Sequence, residues 1–269
     1  MSRQQDLQKL NTMLLEDMPE YRSQAKSFPK NEDAQFRLFR SLVNVRRPGT
    51  ISGEFLTVQD AFLQKEIRNI TDWHDLAPRE EGIYLWQGDI TTLKVDAIVN
   101  AANSGMTGCY YPCHKCIDNC IHTYAGVQLR NYCAEIMEAQ GYPEPTGQAK
   151  ITPAFNLPSR YVIHTVGPIV NGSLTDRHRE SLASCYRSCL NLADENDLES
   201  IAFCCISTGE FHFPNEEAAE IAVRVVRDYR NNSGKSNVIF NVFGDKDREI
   251  YTRLLEDRGE DKEKRKYLS

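Results

Sequence analysis

Four cysteines fall within a dozen residues of this 269-residue chain: Cys109, Cys113, Cys116 and Cys120, with His114 among them. The chain has nine cysteines, an odd number, so a complete disulfide framework is not expected. Thiolate and imidazole are soft-to-borderline ligands suited to zinc. A cluster this dense in a reducing compartment therefore suggests metal or reactive-thiol chemistry. Three protein ligands would leave a fourth position for water or substrate, the arrangement of a catalytic site, whereas a fourth ligand would close a structural one. Cys120 follows Cys116 by one helical step, so geometry leaves both arrangements open. A metal-free cluster of small buried hydrophobes is the third reading.

The elements that must position this cluster are legible in outline. Strand-like runs occur at 83–91, 97–103, 150–155, 161–167, 200–208 and 237–244. Several are continuously apolar, as strands buried on both faces tend to be. Helical patterns lie between them. Ile117, Ile121, Ala125 and Ile136 mark one helix near 116–139; Leu182, Cys185, Cys189 and Leu192 mark another. Ala218, Ile221, Val225 and Tyr229 mark a third, with Pro214 in its first turn. Alternating strands and helices predict a largely parallel α/β sheet covered on both sides. Residues 1–75 have a different texture. Leu7, Leu10 and Leu14, then Phe36, Phe39 and Val43 after a cap at Asn31, then Val58, Phe62 and Ile67 predict three amphipathic helices. Their apolar faces must be buried, so a helical extension docked on the main domain is expected. We divide the chain into this extension (1–75), an α/β domain (76–257) and a polar tail (258–269) expected to fray.

Composition sets the outer bounds. At 41% hydrophobic and 26% charged, the chain is of globular type. Its net charge of -6 and pI of about 5.6 argue against coating nucleic acid. Mean hydropathy is -0.52, no apolar run reaches a membrane span, and the first residues lack a signal-peptide stretch; a cytoplasmic protein is expected.

In open α/β sheets, ligands bind beyond the carboxyl ends of the strands. After 83–87 comes Gly88-Asp89-Ile90-Thr91; after 97–99 comes Asn100-Ala101-Ala102-Asn103. After 200–206 comes Ser207-Thr208-Gly209-Glu210-Phe211, a turn that could aim backbone N–H groups at a phosphate. An ordinary connecting turn would carry the same residues. GDIT, VDAIVNAAN, YVIHTVGP and ISTGEFHFP occur together and in order over about residues 80–257. In this the chain resembles macrodomains, which bind ADP-ribose. The resemblance implies a three-layer α/β/α fold with a mixed, mostly parallel central sheet. It implies Asp89 at the adenine amine with Ile90 beside the ring, and Asn103 at the distal ribose. It also implies Ser207, Thr208, Gly209, Glu210 and Phe211 around the diphosphate, and Phe243 by the adenosine. One departure stands out: His212 occupies a place where many macrodomains have glycine.

A second departure is more telling. Where many hydrolytic macrodomains carry a glycine-rich loop, residues 108–119 carry the cysteine cluster. This substitution resembles the zinc-dependent microbial branch, which also has a helical N-terminal extension. The resemblance implies Cys109, His114 and Cys116 as zinc ligands and Asp118 as the catalytic carboxylate. It implies a hydrolase that removes mono-ADP-ribose from protein side chains, through an Asp or Glu ester linkage. The implied target in this branch is a lipoyl-carrier protein modified by a sirtuin-like transferase. Two other functions compete: a reader that binds ADP-ribosyl groups around a structural zinc, and a zinc-stabilised interaction protein with vestigial nucleotide motifs. His164, inside an apolar strand, reads as a core histidine, and His122 as a candidate for supporting Asp118. The remaining cysteines, Cys133, Cys185, Cys189, Cys204 and Cys205, read as packing.

Overall fold

The computed structural model describes residues 2–232 and 234–257; the tail 258–269 lies outside them. The chain begins with helices α1 (Arg3–Asp17), α2 (Arg22–Ala25), α3 (Glu32–Val45) and α4 (Gly53–Glu66). Ser2, Asn31 and Ser52 cap α1, α3 and α4 by accepting from backbone N–H groups, as short polar side chains do at helix starts. Leu7, Leu10 and Leu14 of α1 meet Leu38, Phe39 and Leu42 of α3 and Phe55, Phe62 and Leu63 of α4 in a core of their own. That core is closed by Val127 and Tyr124 of the following domain, so the extension is docked through apolar contact.

The α/β part then runs β1 (Thr71–Asp72), β2 (Pro78–Glu80), β3 (Ile83–Gln87), β4 (Leu93–Lys94), β5 (Ala97–Ala102), α5 (Ile117–Ala125), α6 (Val127–Gln140), β6 (Ala149–Pro153), β7 (Tyr161–Val166), α7 (Asp176–Glu195), β8 (Ser200–Phe203), α8 (Asn215–Asn231), β9 (Asn237–Val242) and α9 (Asp245–Glu256). Seven strands form one sheet in the order β2-β3-β9-β8-β5-β7-β6. The inner strands pair parallel, and only β2 and β6 at the edges run antiparallel to their neighbours. Helices α7, α8 and α9 pack side by side on one face, and α5 and α6 lie on the other, with α3 against α5. This is a three-layer α/β/α fold with a mixed, mostly parallel sheet. β5 and β8 are buried along nearly their whole length, which explains their unbroken apolar character.

Three expectations need correction. The helix foreseen near 116–139 is two helices, broken at Gly126, whose φ of +97° suits glycine and ends α5. Pro214 precedes α8 as its N-cap and is not in the first turn. Several strands stop early. After Gln87 the chain turns at Asp89, whose Oδ1 accepts from the N–H and hydroxyl of Thr91 and starts a short 3-10 turn. Helix α9 was not foreseen. Its signal was the repeat of Ile250, Tyr251, Leu254 and Leu255 in an otherwise polar stretch.

Candidate active site and metal centre

The sheet order places the carboxyl ends of β3, β9, β8, β5 and β7 along one edge. Asp89, Phe243, Ser207 and Asn103 each follow one of those strands, so the topology brings four separate sequence motifs to one rim. Asp89 is exposed, with Oδ1 engaged by Thr91, while Ile90 is 2% exposed and packed into the core beneath it. Phe243 is 79% exposed, an unusual state for a large aromatic ring. The turn 207–213 is strained. Ser207 and His212 both adopt positive φ, +66° and +56°. Residues with a Cβ avoid that region, which accounts for the glycine that many macrodomains have where this chain has His212. Gly167 lets the turn close: a Cβ there would lie 2.0 Å from Ser207 Oγ.

Asp118 is the best-braced carboxylate on the rim. It lies in the first turn of α5, 5% exposed. Asn100 Nδ2 donates to Oδ1 at 2.8 Å and Asn103 Nδ2 donates to Oδ2 at 3.2 Å. Asn103 is itself locked, accepting from Gly105 N and donating to the carbonyl of Gly108. Burial raises the Asp118 carboxyl to about 6, and the two amide donors together with the positive charge of Arg130 limit the rise. Behind it, parallel pairing sets Asn100 of β5 opposite His164 of β7. Asn100 Nδ2 also donates to His164 Nδ1 at 3.1 Å, which assigns the ring proton to Nε2, donating to Thr152 Oγ1 at 3.0 Å. Burial drives His164 down to about 3, so the ring stays neutral. His122, one turn along α5, has Nε2 3.5 Å from Asp118 Oδ1, and burial lowers its pKa well below the usual value.

The loop between β5 and α5 brings Cys109, His114 and Cys116 together. Their ligand atoms all lie within 4.8 Å of one another, and Cys109 Sγ is 3.6 Å from His114 Nδ1. A tetrahedral ion with bonds of about 2.0–2.3 Å spaces its ligands by roughly 3.5 Å, so this donor set fits a zinc-sized cation. Burial, with Cys109 alongside, pushes the Cys116 thiol up, and a bound cation would favour its thiolate form. Cys113 and Cys120 do not join the group. The Cys113 thiol turns to α3, donating to the carbonyl of Arg37 at 3.3 Å with Ser41 Oγ at 3.4 Å. Cys120 Sγ is 4.0 Å from Arg40 Nη2. A second cluster, His122, Cys133 and His164, is fully buried, but both ring nitrogens of His164 already have hydrogen-bond partners.

The sequence reading missed several supports. Asn100 appeared only as part of a motif, although a polar residue beside His164 in two adjacent buried strands was a signal of pairing. The side chain of Glu210, expected to act through its backbone, reaches across to His114, Oε1 to Nε2 at 3.5 Å, and links the turn after β8 to the cysteine loop. Arg40 on α3 had no sequence signal at all.

A parallel-core α/β/α sandwich with a nucleotide-type rim and a Cys/His cluster at one end defines the class of protein. The Macro domain family profile matches residues 99–222. The chain is 59% identical over 249 residues to a protein-ADP-ribose hydrolase of Treponema medium, covering 90% of this chain and 95% of the relative. Among solved structures, an Oceanobacillus iheyensis macrodomain with ADP superposes with a TM-score of 0.60 at 39% identity, covering 65% of this chain and 90% of that one. A Trypanosoma brucei macrodomain in complex with ADP-ribose superposes with a TM-score of 0.62 at 28% identity, covering 80% of this chain and 94% of that one. The chain belongs to the macrodomain family.

Proposed function

We propose that this chain is a protein ADP-ribosyl hydrolase that releases mono-ADP-ribose from modified protein side chains. The observation that carries it is the juxtaposition of Asp118, buried and held by two amides, with a Cys109–His114–Cys116 group spaced to hold a metal ion, in a macrodomain. The likeness to the protein-ADP-ribose hydrolase of Treponema medium supports the same reading. In this reading Asp89 accepts from the adenine amine through the oxygen that does not cap Thr91. Ile90 lies beside the adenine ring and Phe243 by the adenosine. Ser207, Thr208, Gly209, Glu210 and Phe211 surround the diphosphate, where the positive φ of Ser207 lets successive N–H groups converge. Asn103 meets the distal ribose.

Cys109, His114 and Cys116 would hold a zinc ion, whose chemistry there is to polarise an oxygen or acidify a water. Asp118 is ionised at neutral pH and can orient or deprotonate the attacking water, and its charge stabilises the positive anomeric carbon. The linkage we assign is an ester to Asp or Glu, whose carboxylate is a leaving group that needs no protonation. The acceptor to test first is a lipoyl-carrier protein modified by a sirtuin-like transferase, the pairing implied by the resemblance. With nine free cysteines the protein suits a reducing compartment, and we place it in the cytoplasm. Among the described residues no helix is long and apolar enough to cross a membrane.

The test is a hydrolysis assay on an acceptor mono-ADP-ribosylated at a carboxylate, with metal analysis of the same preparation. Release of ADP-ribose by metal-loaded protein is expected. Tight binding of ADP-ribose with no release would make the chain a reader.

A further inference from the structure

The helical extension reaches the Cys109–His114–Cys116 group through Arg40. Arg40 of α3 donates through Nη2 to the carbonyl of His114 at 3.2 Å and to Asn119 Oδ1 at 2.9 Å. Because Asn119 Oδ1 is held by Arg40, the Asn119 amide nitrogen faces the cysteine loop, donating to the carbonyls of Tyr111 at 3.0 Å and Cys109 at 3.4 Å. The backbone N–H of Asn119 donates to Cys116 Sγ at 3.4 Å. One fully buried asparagine therefore touches two of the three ligand residues, and one arginine from the extension sets which way its amide points.

The same seam is fastened at other points. Asn44 at the end of α3 accepts from Cys113 N at 2.9 Å and donates to Thr123 Oγ1 at 3.0 Å. This holds Cys113 at a φ of +53°, a conformation that a cysteine adopts only under outside constraint. In the other direction, Arg130 of α6 donates to the last carbonyls of α3, those of Val43 and Asn44, and to that of Arg46. It also donates to Thr107 and Cys109 in the cysteine loop. The carbonyl end of a helix attracts a cation, so Arg130 is well suited to anchor it.

We propose that α3 is a built-in frame for the metal centre, with Arg40 and Asn119 as positioning residues that pre-form the Cys109–His114–Cys116 set. This rests on the reading of that set as a metal site. Charge alone works against it, because a guanidinium near a divalent cation repels it. Removing Arg40 would then raise metal affinity. If Arg40 acts by ordering the loop, removing it lowers affinity, since residues that orient ligands typically carry 10–100-fold in metal affinity. The sign of the effect separates the two.

The experiment is Co²⁺ titration of the full chain, following the thiolate-to-metal and ligand-field absorption, for the unmodified protein, Arg40→Met and Arg40→Lys. Thermal melting and calorimetry with free ADP-ribose serve as fold controls. Arg40→Met is expected to bind Co²⁺ 10–100-fold more weakly with altered ligand-field bands, while still binding ADP-ribose. Arg40→Lys keeps the stem and charge, reaches one acceptor, and is expected to fall between. Unchanged or increased Co²⁺ affinity in Arg40→Met overturns the proposal. Should Arg40→Met not fold, unchanged affinity in Arg40→Lys overturns it. If the unmodified chain shows no thiolate–cobalt bands, the metal reading itself fails, and that outcome is distinct from the others.

Discussion

Asp118 is held by two amides, those of Asn100 and Asn103, and neither asparagine is free to turn away. A carboxylate fixed in this way needs no reorganisation to act on a bound water. Asp118→Ala is therefore expected to lower turnover by on the order of 10²-fold or more. It should leave metal content and free ADP-ribose affinity essentially unchanged, since Asp118 is assigned no metal bond. A turnover loss matched by an equal loss of metal, read by elemental analysis, would contradict this assignment. His164 makes a second prediction. Its folded pKa, near 3, lies below the ordinary 6.5, so the unfolded chain binds a proton that the folded chain refuses. The associated stability is complete above pH 6.5 and is lost as pH falls toward 3, by up to about 1.4 kcal/mol per pH unit. His122 acts in the same sense. Asp118 acts in the opposite sense between about 6 and 3.8. His164→Gln should flatten the acid limb of urea stability measured between pH 7 and 5, and an unchanged slope would show that the ring is not held neutral.

The element scale shows what could be read from sequence. The strand runs and most helices were legible because burial on one face or both leaves an apolar period, as in Leu182, Cys185, Cys189 and Leu192 of α7. Strand ends were not: Asp89 turns the chain just after β3 through a cap that apolar periodicity does not encode, and β8 ends at Phe203 although the apolar run continues through Ile206. The motifs that the topology brings to one rim were legible, since each lies within a few residues of one strand end. Asn100–His164 and Arg40–Asn119 were not, because those contacts join residues 64 and 79 positions apart. The turn after β8 yields a prediction of its own. His212 sits at a φ of +56°, where a side chain costs about 1 kcal/mol or more. His212→Gly should raise stability by up to about 1 kcal/mol once the extra freedom of glycine in the unfolded chain is set against that relief. A urea midpoint lower than that of the unmodified protein would mean that the imidazole makes a stabilising contact.

At the scale of the whole molecule, the extension and the α/β domain are one structure. Val127 and Tyr124 complete the apolar core of α1, α3 and α4, and Arg130 spends its donors on carbonyls of the extension and of the cysteine loop. Deleting residues 1–75 would leave that buried guanidinium without three of its acceptors and uncover the apolar face of α5 and α6. Leaving a buried charge unpaired is costly, so a loss of about 3 kcal/mol or more in urea stability is expected. A truncated chain as stable as the full one would show the extension to be an appendage. The sequence foretold that this region docks, through its three apolar faces. Where it docks depends on polar side chains such as Asn44 and Arg40, which on a helix look like ordinary surface residues.

A metal held by Cys109, His114 and Cys116 beside Asp118 would tie metal content and turnover to those three ligands alone. Metal content and turnover on a mono-ADP-ribosylated acceptor would be compared across Cys109→Ser, His114→Ala, Cys116→Ser, Cys113→Ser and Cys120→Ser. The first three should lose both metal and activity, because each removes one of three protein bonds. The last two should keep both, because the Cys113 thiol faces Arg37 and Ser41 and the Cys120 thiol faces Arg40. Loss of metal from Cys113→Ser or Cys120→Ser as complete as from Cys109→Ser would contradict the account, since the site would then have four protein ligands and a structural role.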